Sequence, residues 1–382
     1  MADGKIKILH VVDSLGVGGM ERIVIDVING LSPAQFDQTV CCVSRRGEMA
    51  GLLREETRCI DLDKGAQADR LVPFKLARVI RGIQPNIVHS QNWLGIDTAL
   101  ARLMTPGVKL VHSDHGRNFS SIYTEPFARR TARRGLYQLA DAVFAISCEV
   151  RDFYCRQTGF PIERMQVIPN GIDVRRIDEA ASFGRCNVRE ELAIAADNFV
   201  IGTVARLDAT KDTMTLVRAF ARLCHSQQNP NLKLLPNLKL LIVGDGDKRA
   251  ALENFATEQG LNREIIFMGL RHDVPRLLTA MDAFALPSLS EGMPITVLEA
   301  MAARLPVVAT NVGALTELVE EGLTGFLVEP QQPEAMADRL ARLCHNPGLA
   351  KAFGAEARRK VEREFGIDLM LQRYADLYAS LC

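Results

Sequence analysis

The residues best suited to chemistry form one run, Pro287-Ser288-Leu289-Ser290-Glu291-Gly292-Met293-Pro294-Ile295-Thr296-Val297-Leu298-Glu299-Ala300-Met301-Ala302. Proline has the locked dihedral of a first helical turn, so the spacing predicts a helix starting at Pro294 with free N–H groups pointing back into the loop. Glu291 lies just before that start and Glu299 on the second turn. Amides at the positive end of a helix take an anion, and carboxylates accept from sugar hydroxyls. A carboxylate in front of a helix also reads as a simple cap. A second group, Ala205-Arg206-Leu207-Asp208-Ala209-Thr210-Lys211, places two cations just past an apolar run and beside a helix start. Such cations, with the helix end, neutralise a diphosphate without a metal; the bland reading is ordinary surface charge.

Two loops in the first half carry the same kind of signal. Asp13-Ser14-Leu15-Gly16-Val17-Gly18-Gly19-Met20-Glu21 opens a helix whose apolar face is Ile23, Val24, Val27, Ile28 and Leu31. Glycines there let backbone N–H groups approach an anion. A dinucleotide fingerprint needs a third glycine where Glu21 stands, which disfavours NAD, and the chain has no GxxxxGK[ST] loop. Asp114-His115-Gly116-Arg117-Asn118 follows another apolar run, and a lone histidine at such a place is either structural or functional. Arg129, Arg130, Arg133 and Arg134 share a helix face by their spacing, next to Phe127, Leu136 and Tyr137. That face is either solvated or a patch for anionic headgroups or a phosphorylated acceptor. Two Asp-x-Asp strings, Asp61-Leu62-Asp63 and Asp245-Gly246-Asp247, invite a metal reading, but the cations already supply charge, so no metal is expected.

The elements that must position these residues alternate through the chain. Short β-rich apolar runs at 6–12, 38–43, 87–90, 109–113, 142–146 and 165–168 are separated by helix-length amphipathic stretches, and the rhythm repeats at 199–204, 238–243, 265–267, 283–286, 307–309 and 325–328. Such alternation means parallel sheets covered by helices, an α/β protein. Two series of this width exceed one sheet, and the break falls where Ile168-Pro169-Asn170-Gly171-Ile172-Asp173 gives way to the charged stretch 174–189. Two doubly wound, Rossmann-like domains are therefore expected, joined near 170–190. Ligands in such sheets sit beyond the carboxyl ends of the strands, where all the loops above fall. A six-residue duplication, 230–235 copied at 236–241, is the one internal repeat, and one copy is expected to be loop.

Composition bounds the rest. The chain has 382 residues, 47% hydrophobic, with 46 basic and 46 acidic side chains. Disorder and small disulfide scaffolds are excluded, and zero net charge argues against nucleic-acid binding. Residues 1–172 hold 22 basic and 18 acidic side chains, net +4, leaving 24 and 28, net −4, for 173–382. Nine scattered cysteines without a CxxC pair read as reduced thiols. No segment approaches the ~18 apolar residues of a membrane span, so the expectation is a cytoplasmic protein that meets a membrane, if at all, from its surface.

Taken in order, Gly18-Gly19-Met20-Glu21, His115-Gly116, Val167-Ile168-Pro169-Asn170-Gly171-Ile172-Asp173, Arg206 with Lys211, Val243-Gly244-Asp245-Gly246, Phe267-Met268-Gly269, Glu291-x7-Glu299, and Pro306-Val307-Val308-Ala309-Thr310 through Gly313 and Glu317 span nearly the whole chain. The set resembles family 4 retaining glycosyltransferases of the B-type fold, more loosely the bacterial sugar transferases of exopolysaccharide and cell-envelope assembly. The resemblance implies two Rossmann-like domains facing a central cleft, with an acceptor-binding domain at 1–172, a nucleotide-sugar-binding domain at 190–365, and a C-terminal helix at 366–382 returning to the first domain. It implies a nucleoside-diphosphate sugar as substrate, with UDP the commonest base, no separate cofactor, and a saccharide or lipid-linked acceptor. By the same resemblance Arg206 and Lys211 grip the diphosphate, Glu299 holds the ribose hydroxyls and Glu291 the donor sugar. The run Gly292, Met293, Pro294, Ile295, Thr296, Val297 and Leu298 lines phosphates and sugar, with Pro294 replacing a frequent glycine and offering no N–H. Gly244 joins that donor set, His115 resembles the histidine near the sugar's 6-position, and Gly18 and Gly19 the loop over the phosphates. Competing readings are a nucleotide-sugar epimerase or hydrolase on the same fold, and a non-catalytic sugar-nucleotide scaffold.

Overall fold

A computed structural model describes residues 4–64, 69–116, 125–182, 184–226 and 237–382. The chain divides into two units, Met1–Asn170 with Asp368–Cys382, and Gly171–Ile367. The first holds a seven-stranded sheet of β1 (Ile6–Ser14), β2 (Phe36–Arg45), β3 (Arg58–Asp61), β4 (Ile87–Gln91), β5 (Lys109–Asp114), β6 (Ala142–Ala145) and β7 (Met165–Val167), in the order β3-β2-β1-β4-β5-β6-β7. The second holds a six-stranded sheet of β8 (Phe199–Val204), β9 (Leu238–Val243), β10 (Ile265–Gly269), β11 (Ala283–Leu286), β12 (Val307–Thr310) and β13 (Gly325–Val328), in the order β10-β9-β8-β11-β12-β13. The pairings between these strands are parallel throughout. Both units are thus Rossmann-like α/β sheets.

The strands form where they do because both faces are covered. β8, β11 and β12 are buried at every residue, which requires the uninterrupted apolar runs seen in the sequence. In β1, Leu9 and Val11 pack with Val72, Leu76 and Ile80 of the helix Val72–Ile83. Val12, on the opposite face, packs with Val24, Ile25 and Ile28 of the helix Gly19–Gly30. Strand order reverses beside β1 and beside β8, so the loops after β1, β4, β8 and β11 flank the two switch points. Those loops are the residues at 15–18, 92–93, 205–212 and 287–294.

All twelve apolar runs are strands, and a thirteenth, β3, is a half-exposed edge strand whose sequence, Arg-Cys-Ile-Asp, has no apolar run to reveal it. The stretch 174–189 contains two helices, Val174–Ala181 and Arg185–Glu191, rather than an extended connection. Its charge is spent internally, since Arg189 donates to the carbonyls of Ala280 and Asn198 and to the Asp282 carboxylate. The first copy of the duplication lies outside the described residues, and the second leads into β9.

The last helix, Ile367–Ala379, belongs to the first unit from Asp368 onward. Tyr374 packs edge-on against Phe144, and Tyr378 against Phe36, with centroids 5.3 and 6.1 Å apart. Gly30 has no side chain because Leu371 fills the space: a Cβ there would lie 2.3 Å from Leu371 Cδ1.

Candidate active site

In the second unit the loop after β8 carries both predicted cations. Asp208 organises it, accepting from the Thr210 and Lys211 N–H groups at 2.9 and 3.2 Å. Leu289 N–H donates to the Thr210 carbonyl at 2.7 Å, which draws the loop after β11 against it. Lys211 Nζ then reaches Glu291 Oε1 at 2.6 Å, and Ser288 Oγ donates to the same oxygen at 2.6 Å. Glu291 is only 7% exposed, so these two donors replace the water its carboxylate gives up. Arg206 is 75% exposed, with Asp208 at 3.4 Å its one ion-pair partner among the described residues. A buried carboxylate paired with a half-buried cation, next to an exposed guanidinium on the same loop, has the chemistry to take an anion with attached hydroxyls.

Two glycines permit this closeness. Gly313 adopts φ +54, and a Cβ there would lie 2.0 Å from the Glu291 carbonyl oxygen. Gly244 adopts φ +134, and a Cβ would lie 1.9 Å from the Ala205 carbonyl oxygen. Gly244 therefore lets the loop that carries Arg206 come close to the end of β9. The helix after Glu291 runs Ile295–Ala302, one residue later than predicted, with Pro294 as its cap. Val297 and Leu298 depart from the expected role: their side chains are fully buried and their N–H groups donate to the Pro294 carbonyl at 3.2 and 3.4 Å. The helix-mouth amides are those of Ile295 and Thr296, beside half-buried Gly292 and buried Met293, because the first turn has no partners inside the helix. Glu299 is half-buried one turn on.

In the first unit Gly18 caps the helix Gly19–Gly30 in extended conformation, φ −174. His115 lies just past β5, and its N–H donates to Asn92 Oδ1 at 2.8 Å while Asn92 Nδ2 approaches Met20 Sδ at 3.1 Å. Asn92 thus ties the loops after β4 and β5 to the first turn of the helix Gly19–Gly30. Burial pushes the His115 imidazole down to about 4, against the opposing pull of the Asp114 carboxylate, so the ring is neutral at pH 7. Asn92, Gln91 and Ser113 are not singled out by the sequence, and Ser288 only as part of the run 287–302. The polar ending Ser90-Gln91-Asn92 after an apolar strand was the available signal.

The arginine cluster does not form one open face. Arg133 is 2% exposed, donating to Asp114 Oδ1 at 2.6 Å and to both Glu125 oxygens at 2.9 and 3.1 Å. Its guanidinium lies 4.0 Å from the Tyr154 ring centroid and 4.6 Å from that of Trp93. Burial alone would raise the Asp114 carboxyl, but Arg133, His112 and the Tyr137 hydroxyl outweigh it and hold the group at about 2. Helical spacing gave the direction of Arg133 but not the two carboxylates waiting there. Arg129 and Arg134 are exposed, Arg130 half-buried, and Phe127 is 76% exposed.

The Asp-x-Asp strings are engaged by cations: Asp61 by Arg46 at 3.3 Å, Asp245 by Arg249 at 2.9 Å and Asp247 by Lys248 at 2.9 Å. Among the described residues, the one group of three metal-ligating side chains is Cys42, Cys59 and Asp61, at the β2–β3 edge.

Buried neutral histidines make stability depend on pH. Burial lowers His10 to about 4, against the Gln38 hydrogen bond, and lowers His89 well below its ordinary value. With His115, three bases bind fewer protons folded than unfolded. Stability is therefore complete above the unfolded value of about 6.5 and falls as pH drops from there through about 4, by about 3 kcal/mol for each of His10 and His115. The urea midpoint should be flat from pH 8 to 7 and drop steeply from 6.5 to 4.5; a flat midpoint across both ranges contradicts this account.

Two parallel Rossmann-like sheets, each with charged loops at its switch point, define the architecture of B-type glycosyltransferases. Residues 17–176 match Glycosyltransferase Family 4 and residues 185–360 match Glycosyl transferases group 1. An Escherichia coli UDP-Gal:alpha-D-GlcNAc-diphosphoundecaprenol alpha-1,3-galactosyltransferase is 26% identical over 99% of this chain and 97% of its own. A D-inositol 3-phosphate glycosyltransferase of Rhodococcus jostii is 31% identical over 76% of this chain and 66% of its own. Among solved structures, a Rickettsia africae glycosyltransferase superposes with TM-score 0.84 at 23% identity, covering 99% of this chain and 98% of its own. Anabaena HepE in complex with UDP-glucose gives 0.81 at 24%, covering 98% of this chain and 100% of its own. The chain belongs to glycosyltransferase family 4.

Proposed function

We propose that this glycosyltransferase moves a sugar from a UDP-sugar to a saccharide or lipid-linked acceptor of polysaccharide or envelope glycan synthesis, with retention of anomeric configuration and without a metal. The carrying observation is the Lys211–Glu291 pair at 2.6 Å in front of the helix Ile295–Ala302, with Arg206 exposed beside it. Breaking the sugar–phosphate bond puts positive charge at the anomeric carbon and negative charge on the leaving diphosphate. Arg206, Lys211 and the Ile295 and Thr296 amides meet the second charge, each preorganised donor contributing about 3 kcal/mol. Glu291 orients sugar hydroxyls through its carboxylate, and Glu299 the ribose hydroxyls. The acceptor hydroxyl attacks from the leaving-group face and passes its proton to the leaving phosphate oxygen.

The first unit supplies the acceptor side. Arg129, Arg130 and Arg134, with exposed Phe127, form a cationic surface suited to anionic headgroups, which fits a lipid-linked acceptor met at the inner membrane face. Among the described residues no helix is long and apolar enough to cross a membrane. The UDP-bound relatives and the undecaprenol-linked acceptor named for the E. coli relative support the donor and acceptor classes.

The test is proton NMR of product formed from UDP-glucose, UDP-galactose or UDP-N-acetylglucosamine with undecaprenyl-diphosphate-linked acceptor in anionic vesicles. The expected product keeps the donor's α configuration, forms equally in EDTA, and forms less readily in neutral vesicles. A β-linked product overturns retention, loss of activity in EDTA overturns metal independence, and release of free sugar alone favours a hydrolase.

A further inference from the structure

A string of buried polar groups runs from the last helix to His115. Tyr378 Oη lies 2.8 Å from His89 Nδ1, and His89 Nε2 lies 3.1 Å from Ser113 Oγ. Ser113 Oγ donates to Gln91 Oε1, and His115 Nε2 lies 2.6 Å from that oxygen and 3.0 Å from Ser113 Oγ. Among the described residues His115 Nδ1 is buried with no hydrogen-bond partner.

Donor and acceptor counting fixes the direction of each short bond, the Gln91 amide nitrogen lying farther off, 3.5 and 3.4 Å from His89 Nδ1 and Nε2. An amide oxygen only accepts, so Ser113 O–H and His115 Nε2–H both point at Gln91 Oε1. With its proton spent there, Ser113 Oγ accepts from His89 Nε2–H. His89 Nδ1 is then a bare lone pair that accepts from Tyr378 O–H. The opposite setting of the Gln91 amide would put its NH2 against His115 Nε2 and the proton on Nδ1, leaving a buried N–H without a partner, which is the costlier orphan. The one ring nitrogen left without a partner along the string is His115 Nδ1.

We propose that Gln91 is a positioning residue: anchored by Ser113 and, through His89, by Tyr378, it locks His115 in the Nε2–H tautomer so that Nδ1 is presented as an acceptor for a sugar hydroxyl. This rests on the sugar-transfer reading above for the nature of the ligand, and on the string alone for the tautomer. It also gives the C-terminal helix a role beyond packing, because its tyrosine ends the string.

Two-bond 15N–1H correlation spectra of the folded chain, with His115 assigned from its Asn variant, read the tautomer without any substrate. Wild type should show Nε2 protonated and Nδ1 bare. Gln91→Met removes the shared acceptor and frees Ser113 O–H to donate to Nε2, so the ring should become a mixture of tautomers. Gln91→Glu keeps an acceptor oxygen and should retain the Nε2–H form, which separates tautomer control from packing if the methionine variant folds poorly. Tyr378→Phe should produce a smaller shift in the same direction as Gln91→Met. Adding UDP-glucose, UDP-galactose or UDP-N-acetylglucosamine, and separately the lipid-linked acceptor, shows which substrate moves the Nδ1 resonance. With a UDP-sugar that wild type turns over, kcat/KM should fall about tenfold in Gln91→Met. Wild-type His115 protonated on Nδ1, or a Gln91→Met variant with unchanged tautomer, overturns the proposal even if transfer is observed. The predicted tautomer in a chain that turns over no UDP-sugar leaves the string standing and removes the sugar-transfer reading.

Discussion

Replacing Lys211 by alanine is expected to lower kcat by about two hundredfold while the chain stays folded, the loss of one preorganised cation worth about 3 kcal/mol at the leaving group. Under the proposed function Lys211 meets the diphosphate, and in the structure it pairs with Glu291, whose side chain is 6% exposed, at 2.6 Å. Removing the ammonium leaves that carboxylate with Ser288 as its remaining donor, so part of the loss comes from a displaced Glu291. Lys211→Arg keeps the charge but not the reach of a flexible stem to one oxygen, and should recover only part of the activity. Arg206→Ala, at an exposed side chain, should cost activity without measurable cost in stability. A Lys211→Ala enzyme with wild-type kcat would remove Lys211 from the reaction.

Arg133→Met is expected to destabilise the first unit by about 3–5 kcal/mol, because it strands two buried carboxylates. Asp114 and Glu125 each lose their charged partner, and Asp114, now held at about 2 by Arg133, His112 and Tyr137, would move upward towards protonation. Trp93 is the chain's single tryptophan and stacks on this guanidinium, so its fluorescence reports the transition in urea. Arg134→Met, on the exposed side of the same helix, should stay within about 0.5 kcal/mol of wild type. Adding Asp114→Asn and Glu125→Gln to Arg133→Met should recover much of the loss, since neutral amides need no counter-charge. Equal effects at Arg133 and Arg134 would mean that the cluster is a surface patch after all.

These two residues show where the sequence was legible and where it was not. Lys211 is legible because its loop follows a predominantly apolar strand and precedes a helix, a purely local pattern. Its pairing with Glu291, 80 positions away, is a product of topology: the loops after β8 and β11 meet because those strands are neighbours. Arg133 was misassigned for the same reason, since helical periodicity places four arginines together but is silent about Asp114 on β5 and Glu125. β3 escaped because an edge strand that is half solvated needs no apolar run. The string from Tyr378 to His115 escaped because its ends are joined only when the last helix returns to the first sheet. Local rules thus locate charged loops and buried strands, and long-range pairing decides which charges remain available to a ligand.

The central claim, a nucleoside-diphosphate site built by Arg206, Lys211 and the mouth of the Ile295–Ala302 helix, is tested most directly by thermal unfolding with UDP, GDP, ADP, CMP and NAD. UDP at ~100 times its dissociation constant should stabilise wild type by about 2.7 kcal/mol, a clear rise in melting temperature, and should leave the Arg206→Ala/Lys211→Ala double variant unmoved. Stabilisation by NAD and by no nucleoside diphosphate, or an equal response from the double variant, would contradict it.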